Sequence, residues 1–147
     1  LIKKENIMAK HIEIQQVKGS TFAAKGDSGH WVIMDAPKEI GGSSAGSSPM
    51  EMILMGLGGC TSMDVLSILV KMKEDVLDYK VEIFAENAEE HPKIYTKIKI
   101  KYFFYGNNLN EKNIEKAIRL SQDKYCSVSA MLKKSSEIDF SYEIIQV

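Results

Sequence analysis

Between Pro49 and Val70 the chain is apolar on nearly every side. Met52, Ile53, Leu54, Met55, Leu57, Met63, Val65, Leu66, Ile68, Leu69 and Val70 leave almost no polar face before Lys71. A helix that is hydrophobic all round must be covered all round. Its start is explicit: Ser48-Pro49-Met50-Glu51 joins an N-cap serine, a proline at the first helical position and a glutamate three residues after the cap. Continued to about Glu74, such a helix spans roughly 37 Å at 1.5 Å per residue, long for one small domain, so a partner subunit is expected. Glu51, Asp64 and the glycines at 56, 58 and 59 argue against a membrane span and for a helix buried in a soluble protein. Each glycine costs about 1 kcal/mol against alanine in a helix interior. Close backbone packing, or a local break just before Cys60, is therefore expected.

The remaining segments arrange themselves around this helix. From Ala9 to Ala36 the pattern has period two, with Lys18-Gly19-Ser20 and Gly26-Asp27-Ser28-Gly29 as turns, which predicts a three-stranded meander. Pro37–Ser48 is rich in Gly and Ser without periodicity and reads as a mobile connection or a loop over a site. After the helix, Tyr79–Asn87 alternates again. The strongest strand signal follows, with Ile94, Thr96, Ile98, Ile100, Tyr102 and Phe104 on one face and three lysines on the other. An amphipathic helix begins near Asn110 and carries Ile114, Ala117, Ile118 and Ser121 at helical spacing. Its pattern falters over Gln122–Cys126, Ser127 can cap a short second helix, and a last strand starts at Ile138. The order βββ-α-ββ-αα-β predicts an α+β fold of antiparallel sheets around a long central helix. With 147 residues the chain reads as one domain over 9–147, with residues 1–8 as upstream sequence.

Composition narrows the function classes. The net charge is −1, which gives no field to attract nucleic acid or an anionic membrane. The basic strand face of Lys97, Lys99 and Lys101 therefore reads as a solvated surface. Two cysteines and three scattered histidines have no zinc-ligand spacing, so neither a structural metal nor a bound cofactor is expected. The cysteine usage predicts a reducing, cytoplasmic location.

Cys60 and Cys126 are where chemistry can sit. A buried free cysteine is ordinarily a small hydrophobe. Yet a break at Gly58-Gly59 would put Cys60 at the start of a fresh helical segment, and Cys126 directly precedes a capping serine. Helix N-termini lower thiol pKa values. One such thiol can take oxygen from an electrophile to give a sulfenic acid, and a second can condense with it to a disulfide.

Gly58-Gly59-Cys60 in a long apolar helix, followed later by Lys124-Tyr125-Cys126-Ser127-Val128, resembles the OsmC/Ohr family of thiol-dependent organic hydroperoxide reductases. Ser48-Pro49-Met50-Glu51-Met52 and Ser141-Tyr142-Glu143 are similar to its YhfA-like branch. The resemblance implies an intertwined homodimer with sites at the subunit interface. It also implies Cys60 as peroxidatic and Cys126 as resolving cysteine, an apolar hydroperoxide as substrate, and an external dithiol or lipoyl-type reductant. It leaves one position unmatched. Characterised members activate the thiol with an N-terminal Arg paired to a Glu directly after the helix-opening Pro, where this chain has Met50, and no Arg precedes Arg119. Glu51, one place along, is a candidate catalytic carboxylate, although its capping-box role with Ser48 is favoured. Lys18, Lys25, Lys38 and His30 are the available N-terminal cations. Arg119 reads as a solvated or ion-paired helix residue, and Asp64, if close to Cys60, would raise a thiol pKa. The alternative function is a noncatalytic relative that binds an apolar small molecule or senses oxidation.

Overall fold

The computed structural model describes residues 10–147, so the upstream reading of residues 1–8 lies outside the described residues. The chain forms two compact units, one reaching to Ile53 and the other Leu54–Val147.

The first unit is the predicted meander. Strands β1 (Glu13–Lys18), β2 (Thr21–Lys25) and β3 (Trp31–Met34) pair antiparallel in that order. Its period-two apolar residues remain outside: Ile12, Ile14 and Val17 are each about 60% exposed. The Gly/Ser-rich stretch is built around one carboxylate. Asp35, 2% exposed, accepts from Ser20 Oγ (2.5 Å), Thr21 Oγ1 (2.9 Å) and the backbone N–H groups of Ala36, Ser43 and Ala45. Those bonds hold its acid far below the usual range, at about 2, with the Ser20 hydroxyl the largest cause. A short 3₁₀ turn (Lys38–Ile40) folds the loop so tightly that a Cβ at Gly42 would fall 1.8 Å from the Ala36 carbonyl oxygen.

Helix α1 (Pro49–Lys71) begins with the predicted capping box: Glu51 N–H donates to Ser48 Oγ (3.2 Å) and Ser48 N–H to Glu51 Oε2 (2.7 Å). No break occurs at the glycines. The helix runs unbroken through Cys60, so the expected helix start at that residue is absent. Close approach explains one glycine, since a Cβ at Gly58 would lie 3.1 Å from Ile83 Cδ1.

In the second unit α1 packs through Leu57, Thr61, Val65 and Leu69, all at 0–1% exposure, one position per turn of a single stripe. The expected all-round cover is met on that side only. Met55, Gly56, Gly59, Met63 and Val70 are exposed, and nothing lies within 4 Å of a Cβ built at Gly56 or Gly59. One small sheet covers one helix face, and the opposite face stays exposed.

That sheet has the order β4 (Asp78–Asn87), β5 (Tyr95–Tyr105), β6 (Glu137–Ile145). β4 and β5 are antiparallel, whereas β5 and β6 are parallel, which departs from the all-antiparallel expectation. The reason is the connection, since α2 (Glu111–Leu120) and α3 (Ser127–Leu132) form a crossover that returns the chain in the same direction. The core face of β5 holds Ile98, Ile100, Tyr102 and Phe104 as expected. At its start Tyr95 is buried in place of Ile94 and Thr96, because the β4/β5 register slips beside Glu86 and Asn87 and a one-residue slip exchanges faces. The lysine stripe is neutralised by its neighbours: Lys97 stands in register between Glu86 and Glu137, Lys99 beside Asp139, and Lys101 between Glu82 and Ser141, from where it leans diagonally toward Glu143. Lys101 Nζ reaches Glu143 Oε1 at 2.9 Å.

Candidate active site

Four segments of the second unit converge where α1 passes β5 and the end of α2. α1 supplies Cys60, Thr61 and, one turn later, Asp64, while β5 supplies the Tyr102 phenol. α2 is capped by the Asn110 carboxamide, which accepts from Lys112 and Asn113 N–H. Where its sequence pattern falters, the chain widens into a π turn over Ser121–Tyr125. The Cys126 N–H there donates to the Ser121 carbonyl five residues back, at 2.8 Å. The extra residue turns Gln122 inward and delivers Cys126 to the head of α3; such wide turns often mark functional sites.

Cys126 itself, not Ser127, caps α3, and its sulfur accepts the Ser129 N–H at 3.4 Å. Cys60 is half-buried and Cys126 is 3% exposed; both thiols are free. Cys60 Sγ, Cys126 Sγ and a carboxylate oxygen of Asp64 lie within 4.8 Å of one another. The two predicted cysteines are thus brought together, and Asp64 joins them.

The expectation that a helix N-terminus lowers the Cys126 pKa is overturned. Burial pushes this thiol up to about 11, and the Ser129 N–H opposes that shift without cancelling it. A hydrogen bond to the neighbouring Cys60 and the negative charge of Asp64 add to the rise. Cys126 therefore keeps its proton at neutral pH, and its thiol is hydrogen-bonded to Cys60. Cys60 is the more accessible of the two sulfurs.

Behind the sulfurs lies a polar network that sequence reasoning missed. Thr61 Oγ1 shares hydrogen bonds with Tyr102 Oη (2.7 Å) and Ser121 Oγ (2.9 Å). Gln122 Nε2 donates to Thr61 Oγ1 (3.1 Å) and Tyr102 Oη (3.0 Å), and Gln122 Oε1 accepts from Ser129 Oγ (2.6 Å). Ser121 Oγ also donates to Asp64 Oδ2 at 3.2 Å. No buried side-chain polar atom lacks a partner among the described residues. Burial pushes the Tyr102 phenol up to about 12, so it stays protonated. The sequence signal was the run of polar residues in apolar surroundings: Thr61 beside Cys60, and Ser121-Gln122 where periodicity failed.

The other candidates have partners of their own. The Glu51 carboxylate is engaged in the cap of α1, and its bonds to Ser48 hold its acid below the usual range. Arg119 donates through Nε (3.0 Å) and Nη2 (2.8 Å) to Glu115 on its own helix. Lys25 pairs with Glu13 at 3.5 Å within the first unit. A groove of about 340 Å³, lined by Asp64, Ser67, Ile68, Lys71, Leu120 and Tyr125, opens beside the cluster. A second, apolar cavity of about 790 Å³ lies within the first unit, lined by Ile14, Phe22, Met34, Ile40 and Met50 among others.

Comparison with known proteins finds relatives of this sequence and fold. A family model described as OsmC-like protein matches residues 41–141. Protein YhfA of Escherichia coli (strain K12) is 41% identical over 132 residues, covering 90% of this chain and 96% of that protein. A crystal structure of a hypothetical protein from Aquifex aeolicus VF5 superposes with a TM-score of 0.83 at 35% identity, covering 95% of this chain and 98% of that one. The organic hydroperoxide resistance protein OhrB of Bacillus subtilis shares the fold at a TM-score of 0.65 and 10% identity, over 94% of this chain and 100% of its own.

Proposed function

The chain belongs to the OsmC-like protein family, and we propose that within it this protein is a thiol peroxidase that reduces organic hydroperoxides through Cys60 and Cys126. The observation that carries the reading is the approach of two free thiols, from elements 66 residues apart, to within 4.8 Å. In the first step the Cys60 thiolate attacks the distal peroxide oxygen. An S–O bond forms, the O–O bond breaks, and the alkoxide leaves as an alcohol after taking a proton. In the second step Cys126 sulfur attacks the sulfenic Cys60: an S–S bond forms and the S–O bond breaks, while the Cys126 proton leaves with the hydroxyl as water. An external dithiol then reduces the disulfide and is itself oxidised to a disulfide. No bound cofactor enters this scheme.

The proposal includes a homodimer. Its support is the exposed α1 stripe of Gly56, Gly59, Met63 and Val70, where small residues allow backbones to approach and nothing in the described chain fills the space. The apolar cavity and the exposed strand residues of the first unit supply further surface of the kind that association covers. A greasy hydroperoxide suits such surroundings. The cytoplasmic part of the reading rests on the sparse cysteine usage.

A second reading, an oxidation sensor or apolar-ligand binder without turnover, is favoured by one observation. Asp64 places a negative charge in the sulfur cluster where a cation would promote thiolate formation. Stopped-flow consumption of an alkyl hydroperoxide by reduced protein separates the two. The peroxidase reading requires loss of peroxide far faster than with a free thiol, abolished by Cys60→Ser. It also requires a Cys60–Cys126 disulfide, absent in Cys126→Ser. Peroxide loss at the free-thiol rate leaves the sensor or binder.

A further inference from the structure

We infer that the reduced cysteine pair, together with Asp64, is a binding site for a thiophilic divalent cation of the zinc type, exclusive of the disulfide state. Spacing along the chain hides it, because its donors come from α1 and from the head of α3 rather than from one short motif. In space Cys60 Sγ, Cys126 Sγ and an Asp64 carboxylate oxygen lie within 4.8 Å of one another. Zinc–sulfur bonds of about 2.3 Å and zinc–oxygen bonds of about 2.0–2.2 Å set tetrahedral donors roughly 3.5–3.8 Å apart, so no pair need draw in by more than about 1 Å.

Three features of the surroundings support the assignment. Each of two ligands already has an outer partner that orients it: Ser121 Oγ donates to Asp64 Oδ2 at 3.2 Å, and Ser129 N–H to Cys126 Sγ at 3.4 Å. The groove lined by Asp64, Ser67 and Lys71 reaches the carboxylate ligand from solvent and gives a cation a way in from that side. Two thiolates and a carboxylate exceed the charge of a divalent ion by one, and Lys71 on the same groove offsets that excess. Both sulfurs ligate as thiolates, so the Cys126 proton is released as the metal binds. Oxidation to the disulfide removes both thiolate donors, so metal and disulfide exclude each other.

The test uses reduced, metal-free protein titrated with Co²⁺ and followed by visible absorption, then with Zn²⁺ in competition with a chromogenic chelator. One Co²⁺ per chain with the intense bands of tetrahedral thiolate coordination, displaced by one Zn²⁺, is expected. Protein oxidised beforehand with diamide should take up neither. Asp64→Asn should weaken Zn²⁺ binding at least tenfold, and Cys60→Ser or Cys126→Ser at least a hundredfold. Absence of the bands at stoichiometric Co²⁺, equal uptake by the oxidised protein, or an Asp64→Asn affinity equal to that of the wild type would overturn the three-ligand site. The comparison of reduced with oxidised wild type decides the matter even where a variant fails to fold. No readout depends on peroxide turnover, so this site and the peroxidase reading can fail separately.

Discussion

Thr61 Oγ1 and Tyr102 Oη lie 2.7 Å apart, and neither residue has any exposed surface. The phenol also accepts from Gln122 Nε2, so one oxygen ties α1, β5 and the π turn together. Tyr102→Phe keeps the ring, with its contacts to Phe104 and Phe140, and deletes only that oxygen. A buried amide proton loses its acceptor, at a cost of about 1–3 kcal/mol. For a chain of 147 residues this lowers Tm by roughly 3–10 °C. Thermal melts should show that fall while the reduced variant still titrates for two thiols; an unchanged Tm would mean that the network does not hold the site.

The two thiols should differ in reactivity. Cys126 is 3% exposed and pushed up to about 11, so its thiolate fraction at pH 7 is on the order of one in ten thousand. Cys60 is half-buried and hydrogen-bonded to its neighbour. Iodoacetamide at pH 7 should alkylate Cys60 and spare Cys126 in the native reduced protein, as read by peptide mass spectrometry. Labelling of Cys126 should rise only as pH is taken toward 11. Equal labelling at neutral pH would contradict the assignment of the proton to Cys126.

Asp35 sets an acid limit on the first unit. Its folded pKa, about 2, lies below the ordinary value of 3.8, so it contributes stability above pH 3.8. That contribution is lost as pH falls from about 4 through 2. Trp31 is the single tryptophan and lies on β3, four residues before Asp35. Its fluorescence, followed in urea titrations at a series of pH values, should report a falling midpoint across that window. Asp35→Asn carries no titrating carboxyl, so it should start less stable at pH 7 and lose the slope.

The elements were legible because each carries a local signature: the capping box at Ser48 and Glu51, the alternation of β5, and the amphipathic run through Ile114, Ala117 and Ile118. The pairing of Cys60 with Cys126 came from the family resemblance. What stayed hidden depends on tertiary context. Whether β6 runs parallel to β5 is decided by the crossover through α2 and α3, and no residue of β6 encodes it. The burial of Tyr95 follows from a register slip against β4, not from its own strand. A thiol at a helix head suggests a low pKa when the helix is considered alone, and the burial of Cys126 reverses that sign. The Gly/Ser loop looked mobile because its organiser, Asp35, lies outside it; a Gly42→Ala substitution, with its Cβ 1.8 Å from the Ala36 carbonyl oxygen, should cost at least about 2 kcal/mol in urea unfolding.

The glycines of α1 give opposite expectations for a lone chain and for a dimer. Nothing lies within 4 Å of a Cβ at Gly56 or Gly59. In a monomer, alanine at either position therefore gains about 1 kcal/mol of helix propensity without a clash. If a second copy packs its helix on this face, the added methyl instead holds the two backbones apart, and the loss of contact across the stripe exceeds that gain. Gly56→Ala and Gly59→Ala should then raise the dimer dissociation constant at least tenfold in sedimentation equilibrium and make Tm steeply dependent on protein concentration. Gly58 faces Ile83 within its own chain, so Gly58→Ala should leave the association unchanged and alter only the stability of the fold. A wild type that sediments as a monomer, with Gly56→Ala and Gly59→Ala more stable by about 1 kcal/mol at every concentration, would show that this helix face meets only solvent.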